Sequence, residues 1–392
     1  MKTIAVIFGG KSAEHDISII TALAAIIKPL ELTKQYDVQA IYIAKDGSWY
    51  WDEKLKDIKL YQSGDIEDFM HKSAKTHLLF DNGLTLVKSS NFAGRKAYKH
   101  IDVVFPAMHG THGEDGELMG ILEMANVPYV GCGVAASAIA MDKVFAKLMA
   151  EANGVITPKM KFIETNQLER DPKPFIDAVN KGLKYPLFVK PARLGSSIGI
   201  TKVDTQKELQ NALEVASHYD DKILVEEAVS NLIEVTVPVM GNEEPRVAMV
   251  EQPLPKKDGV FDFETKYLGQ GKGGKKMGGG KSGKKGAQGY SKIPADISPE
   301  LYKESERVAY KVFQAIGAQG FARIDLLIDA KAKKVYFNEV NPLPGSLYAH
   351  NWRAAGISNV QLVTDLVRLA EDRHTRRQKL TTTFNTNFLK QF

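Results

Sequence analysis

Apolar residues along the chain cluster into short β-branched runs, each ended by a glycine turn and followed by helical spacing. TIAVIF (3–8) stops at Gly9-Gly10, after which Ile20, Leu23, Ala24 and Ile27 recur at the interval of one helix face. A strand, a glycine turn and a helix predict the opening of an α/β unit. YDVQAIYIAKDGSWYW (36–51) predicts a second strand with a turn at Asp46-Gly47. IDVVFPAMHG (101–110) predicts a buried strand running into a polar, glycine-rich loop, and GELMGILEMANVPYVG (116–131) a helix and a short strand. Residues 1–120 therefore read as an N-terminal α/β domain.

MDKVFAKLMAEANG (141–154) predicts a helix ended by Gly154, and YPLFVKPA (185–192), KILVEEAV (222–229) and IEVTVPVMG (233–241) predict strands. SPELYKESERVAYKVFQAIG (298–317) predicts a helix with Ser298 as N-cap and Pro299 at its first position. Its apolar stripe is Leu301, Ala309, Val312, Phe313 and Ile316. Further on, ARIDLLIDAKAKKVYFNEVNP (322–342) has two alternating runs around a polar turn, the pattern of a hairpin. A turn centred near Ala332 sets Asp325 opposite Glu339, with Arg323 and Asn341 on the same faces of their strands.

Composition adds little: 392 residues, 44% hydrophobic and 25% charged, fit an ordinary globular chain of two or three domains. The net charge of +5 has a single source. Between Gly269 and Gly289 lie ten glycines and six lysines with no acid, so the rest of the chain sums to −1. That stretch holds no aromatic residue to stack on bases, which argues against a nucleic-acid partner. Its GGGKSG is no phosphate loop either, because the residue five before Gly280 is Lys275 and no apolar strand feeds into it. The lone Cys132 excludes an intramolecular disulfide and reads as a small buried hydrophobe. ISIITALAAIIKPL (17–30) is too short for a membrane span, and no secretory leader is evident at the N-terminus. The expectation is a soluble, cytoplasmic protein without a membrane partner.

Four stretches carry candidate chemistry. The hairpin offers two carboxylates, an amide oxygen and a guanidinium on one surface, a hard-oxygen set suited to Mg²⁺, although a solvated outer face has the same pattern. KPARLGSSIGI (190–200) places small residues with free backbone N–H groups beside Lys190, which suits phosphate oxygens as well as an ordinary turn. HGTHGEDGE (109–117) gathers two histidines and three acids without regular ligand spacing. GGKSAEHD (9–16) puts Glu14 where the first helix begins, a usual place for a dipole partner.

Taken in order, GGKSAEHDISIITA, HGTHGEDGELMGILEMANVPYVGCGVAASAIAMDK, FVKPARLGSSIGITKV, KYLG, ARIDLLID and NEVNPLPGS resemble the D-alanine–D-alanine ligase family of ATP-grasp carboxylate–amine ligases, over essentially the whole chain. The resemblance implies an α/β chain with an ATP-grasp fold behind an N-terminal, Rossmann-like pre-ATP-grasp domain. It divides the chain into 1–120, a central ATP-grasp subdomain 121–222 and a C-terminal one 223–392 with an extended lid loop 266–293. It implies ATP and D-alanine as substrates, two Mg²⁺ (Mn²⁺ as an alternative) held by Asp325, Glu339 and Asn341, and a homodimer. By similarity Lys143, Lys190 and Lys266 contact ATP phosphates, Glu226 and Val229 the adenine edge, and Glu234 the ribose. Arg323 and the Gly345 N–H would stabilise an oxyanion, and Glu14 would hold the first substrate's ammonium near His109. Ser196 and Tyr267 would tie that substrate to the lid. Two features depart from the family pattern. His350 stands where a small polar residue near the second substrate's carboxylate is usual, and the loop between Tyr267 and Pro294 is unusually long. That length, rich in glycine, predicts poor order over 269–289 without ligand.

Overall fold

A computed structural model describes residues 1–81, 83–89, 96–195, 197–254 and 291–392. Ser196, Lys266, Tyr267 and the Gly/Lys stretch lie outside these residues, and with them residues 266–290 of the expected lid and the order expected of 269–289.

The N-terminal unit is a sheet of β1 (Lys2–Gly9), β2 (Tyr36–Ile43), β3 (Trp49–Trp51) and, after the ribbon described below, β7 (Val103–Pro106). Its order is β3-β2-β1-β7, with β1 parallel to both neighbours. An unbroken helical stretch, His15–Ile20, Thr21–Ile27 and Lys28–Thr33, makes the crossover from β1 to β2. Of the predicted face, Leu23 and Ile27 are buried, together with Ile19, Ala22, Ile26 and Leu30, whereas Ile20 is 46% exposed and Ala24 faces solvent. The expected face is thus half right: the buried positions keep helical spacing but are centred one residue earlier than the pattern placed them. A three-stranded antiparallel ribbon, β4 (Thr76–Phe80), β5 (Leu84–Ser89) and β6 (Lys96–Ile101), was not signalled by the sequence. Leu79, Phe80 and Tyr98 are exposed there, so apolar and polar residues do not separate cleanly by face.

The next sheet is antiparallel, β10-β9-β11-β8, built from β8 (Met160–Glu164), β9 (Leu187–Pro191), β10 (Thr201–Val203) and β11 (Lys222–Glu227). Leu187, Val189, Ile223 and Val225 pack on one face with Val179, Leu209 and Leu213 from its helices. Alternation sends Lys190, Leu224 and Glu226 to the other face.

The last large sheet, β13-β12-β16-β17, comprises β12 (Leu232–Gly241), β13 (Arg246–Val247), β16 (Gly320–Asp329) and β17 (Lys334–Asn341); β14 (Gln252–Pro253) and β15 (Ser291–Lys292) pair separately. Helices Lys143–Ala152 and Pro299–Ala315 pack against it and bury Ile324, Leu326, Ile328, Phe337 and Val340. Ser298 caps the second helix, accepting from the Leu301 N–H at 3.3 Å. The C-terminal helix Asn359–Arg377 returns to the N-terminal unit, where Leu362, Val363, Leu366 and Val367 join the core of β1 and β7. Cys132 is fully buried, and burial pushes its thiol up to about 11.

The hairpin pairs Asp325 with Glu339 and Arg323 with Asn341, as the pattern predicts, by a route the pattern did not reveal. Near the turn Asp329 faces Lys334, so the turn is centred half a residue earlier than Ala332. A bulge between Asp325 and Leu326 makes up the difference, since Leu326 faces Phe337 and Asn338 becomes the extra residue. With Phe337 and Val340 both in the core, Asn338 and Glu339 lie together on the polar side.

Candidate functional site

One small pocket is lined by Glu14, Glu114, Lys143, Gly195, Arg323, Glu339 and Asn341. It gathers residues from the start of the first helix, the loop after β7, helix Lys143–Ala152, the loop after β9 and the β16–β17 hairpin. Arg323 is 2% exposed and donates through Nε and Nη2 to both Asp325 oxygens at 2.7 and 2.6 Å. This forked, charge-assisted geometry fixes both groups. The Tyr348 ring lies 4.9 Å from the guanidinium carbon, and burial pushes the Tyr348 hydroxyl pKa well up. Lys143 Nζ donates to the Leu194 carbonyl at 2.8 Å and stands 3.3 Å from Glu339 Oε2. Asp142 begins that helix as its N-cap, accepting from Val144 and Phe145, which directs Lys143 at the pocket.

Asp325, Glu339 and Asn341 offer acceptor oxygens only from carboxylates and one amide. The Asn341 Oδ1 is buried with no hydrogen-bond partner. A buried carbonyl oxygen left this way is costly unless something electropositive faces it, and a hard cation fits the donor set.

Lys190 and Glu226 form a second, adjoining cluster. Lys190 Nζ lies 2.5 Å from Glu226 Oε1 and 3.5 Å from the bulge residue Asn338. The other Glu226 oxygen is 3.0 Å from Nζ of Lys147, a fully buried lysine that sequence reasoning missed. Burial works against a charged Glu226, yet the two ammoniums outweigh it and hold the carboxyl at about 2. Burial lowers the Lys147 pKa, with Glu226 opposing; for Lys190 burial also lowers, but Glu226 wins and the net direction is up. Val229 follows β11 half-buried, and Glu234 is exposed on β12.

Glu14 is buried and approaches two glycines: a Cβ at Gly110 would stand 3.4 Å from its Oε2 and one at Gly195 3.7 Å. His109 is buried and its Nε2 meets Thr21 Oγ1 at 2.9 Å, while the Ser346 N–H donates to the same hydroxyl at 3.0 Å. Thr21 therefore ties the first helix to the Gly345–Tyr348 turn. Ser346, Leu347 and Tyr348 all adopt left-handed backbone, with φ of 52°, 55° and 46°. Such residues cost about 1–3 kcal/mol each and persist where surroundings over-determine them. His350 follows at the start of helix Ala349–Ala354, with Nε2 3.0 Å from Glu251 Oε2 and its ring 5.1 Å from that of Tyr348.

Glu114 is the other residue missed. It is buried beside His109, with its Oε2 accepting from the Gly110 N–H at 2.7 Å, and burial pushes its carboxyl above the usual range. Its signal was the acidic HGTHGED loop itself, in which only burial distinguishes Glu114 from its neighbours. Within that loop His112, Asp115 and Glu117 bring ligand atoms within 4.8 Å of one another, two of the three residues exposed. The structure thus brings Glu14, Lys143, Arg323, Glu339 and Asn341 together around one pocket. Asp325 is fixed beside them by Arg323, and Lys190 and Glu226 stand next to it through Asn338.

Two family models match the chain: D-ala D-ala ligase N-terminus over residues 3–132 and D-ala D-ala ligase C-terminus over residues 149–368. The D-alanine–D-alanine ligase of Acetivibrio thermocellus is 35% identical over 387 residues, covering 95% of this chain and 96% of the relative. That of Bacillus pumilus is 36% identical over 390 residues, covering 97% and 99%. Among solved structures, the VanG D-Ala:D-Ser ligase of Enterococcus faecalis superposes with a TM-score of 0.74 at 30% identity, covering 94% of this chain and 99% of that one. The D-alanine–D-alanine ligase of Coxiella burnetii gives 0.76 at 27% identity, covering 97% and 98%. The architecture is the α/β ATP-grasp fold with an N-terminal α/β domain.

Proposed function

Because the chain belongs to the D-alanine–D-alanine ligase family, we propose that it joins two D-alanines at the expense of ATP, for peptidoglycan precursor synthesis. The observation that carries this reading is the convergence of Arg323, Asp325, Glu339 and Asn341 on one hairpin face. A carboxylate is a poor electrophile, so the first D-alanine is activated as an acyl phosphate by the γ-phosphoryl of ATP. The amine of the second attacks that carbonyl, and the tetrahedral intermediate expels phosphate. Little covalent work falls to the protein, and positioning and electrostatics dominate.

Asp325, Glu339 and Asn341 would hold two Mg²⁺, and the unpartnered Asn341 oxygen fits that role. Bound there, the ions would neutralise charge on the β- and γ-phosphates. Lys143, Lys190 and Lys266 hold the phosphates, Glu226 and Val229 the adenine edge, and Glu234 the ribose. Arg323 and the Gly345 N–H face the developing oxyanion. Glu14 holds the first ammonium beside His109, Ser196 and Tyr267 link it to a lid over 266–293, and His350 faces the second substrate. In this reading the chain works as three parts, 1–120, 121–222 and 223–392. In the same reading it acts as a cytoplasmic homodimer, as the family resemblance implies; no helix among the described residues is long and apolar enough to cross a membrane.

Incubation with ATP, Mg²⁺ and D-alanine should yield D-alanyl-D-alanine by mass spectrometry, with ADP and phosphate. Intact ATP and no dipeptide would overturn the reading. Phosphate release with D-alanine alone should match that with added D-lactate, and a large D-lactate stimulation at neutral pH would replace the acceptor.

A further inference from the structure

Lys147 has no part in the mechanism above, yet it is among the largest fully buried side chains of the molecule. It sits one turn after Lys143 on the same helix and reaches two other elements. Its Nζ is 3.0 Å from Glu226 Oε2 on β11 and donates to the Phe337 carbonyl on β17 at 3.3 Å. The Phe337 ring lies 5.8 Å from the same nitrogen. The carboxylate and the carbonyl are both acceptors and favour the protonated lysine, opposing the burial that lowers its pKa.

The charge count of the cluster gives this position a purpose. Lys190 and Glu226 alone, 2.5 Å apart, would make a neutral pair, and the carboxylate would consume the lysine's charge. A lysine that serves a phosphate needs charge left over. With a protonated Lys147 on the second oxygen, Glu226 is shared between two ammoniums, which leaves the cluster one net positive charge. Lys190 is the member that retains some exposure, 9% of its side chain against 0% for Lys147 and 1% for Glu226.

Resting on the reading that this cleft takes ATP, we propose that Lys147 is a positioning residue for nucleotide binding. By neutralising Glu226 from behind, it frees the charge of Lys190 for an anionic phosphate. It touches no substrate itself. Because Phe337 precedes the bulge at Asn338 and Glu339, it also pins the β11 cluster to the β17 edge.

The test is a double-mutant cycle on the full chain, read as ATP affinity by calorimetry at fixed ionic strength without D-alanine. Lys147→Gln keeps an N–H for the Phe337 carbonyl and removes the charge. With Glu226 in place, K147Q should weaken ATP about tenfold; in the E226Q background, where no carboxylate competes for Lys190, the same change should cost less than about twofold. Dipeptide kinetics should show KM for ATP raised and KM for D-alanine unmoved. Equal losses in both backgrounds, or no loss in either, would overturn the proposal. If K147Q alone does not fold, E226Q and K147Q/E226Q, which leave no carboxylate buried there, carry the comparison, and a tenfold difference between them sinks it. A wild-type protein that makes dipeptide while K147Q binds ATP normally overturns this inference alone. A wild-type protein that neither binds ATP nor makes dipeptide removes the family reading and this inference with it.

Discussion

Asp325 and Glu339 face each other across one hairpin yet hold different positions in the energetics. Asp325 forms the forked pair with Arg323, which is 2% exposed. Glu339 is half-buried and meets Lys143 at 3.3 Å. Breaking a buried pair costs about 3–5 kcal/mol, and the cost falls as either partner gains solvent. Asp325→Asn is therefore expected to lose both dipeptide formation and stability, and Glu339→Gln to lose activity with the smaller stability loss of the two. ADP release and urea unfolding on the two variants check the contrast. Glu114 gives a pH signature of opposite sign to most acids. Burial raises its folded pKa above the ordinary 4.5, so its contribution is fully present below pH 4.5 and is lost as pH rises through the raised value. Glu114→Gln lacks this loss, so its melting temperature relative to wild type should climb between pH 4.5 and neutrality. A difference that stays flat with pH would refute the assignment. At this scale residue types were readable and burial was not: Glu114 and Lys147 look like surface charges in sequence, and only packing makes them buried.

Elements followed the hydrophobic pattern where the pattern was long and regular. Helix Pro299–Ala315 has the cap and buried stripe expected of it, with Leu301, Ala309, Val312, Phe313 and Ile316 all in the core. Ser298→Ala removes the acceptor for the Leu301 N–H and should cost about 1 kcal/mol in urea unfolding, with ligase activity retained. Where local geometry departs from a simple period, the pattern misled. The bulge at Asn338 puts two neighbouring residues on one side of a strand, which strict alternation does not anticipate. In hindsight the polar pair in FNEV, between two core residues, marks that bulge.

Across the whole molecule, the C-terminal helix closes the fold onto its beginning. Arg373 is 6% exposed, donates to the carbonyls of Gly131 and, at 2.8 Å, Tyr129, and lies 4.4 Å from the Tyr129 ring. Arg373→Ala strands two buried carbonyls and loses stacking, so a stability loss of about 2 kcal/mol or more is expected in urea unfolding. The unit that should loosen first is the contact between residues 359–377 and the first sheet, read by hydrogen exchange. Loss confined to the C-terminal tail would show that the helix does not brace the N-terminal unit.

Alternation, turn residues and motif order, all local properties, were enough to determine the α/β class, the central strands of the three four-stranded sheets, the capped helix and the family, while the Asp325–Glu339 pairing also needed the bulge. The tertiary structure alone decided which charges are buried, that Thr21 joins His109 to a strained left-handed turn, and that Lys147 stands behind Glu226. The physical reason is distance along the chain: these contacts join residues tens to hundreds of positions apart, and no periodicity encodes them. Burial, which sets their charge states, exists only once the sheets have packed.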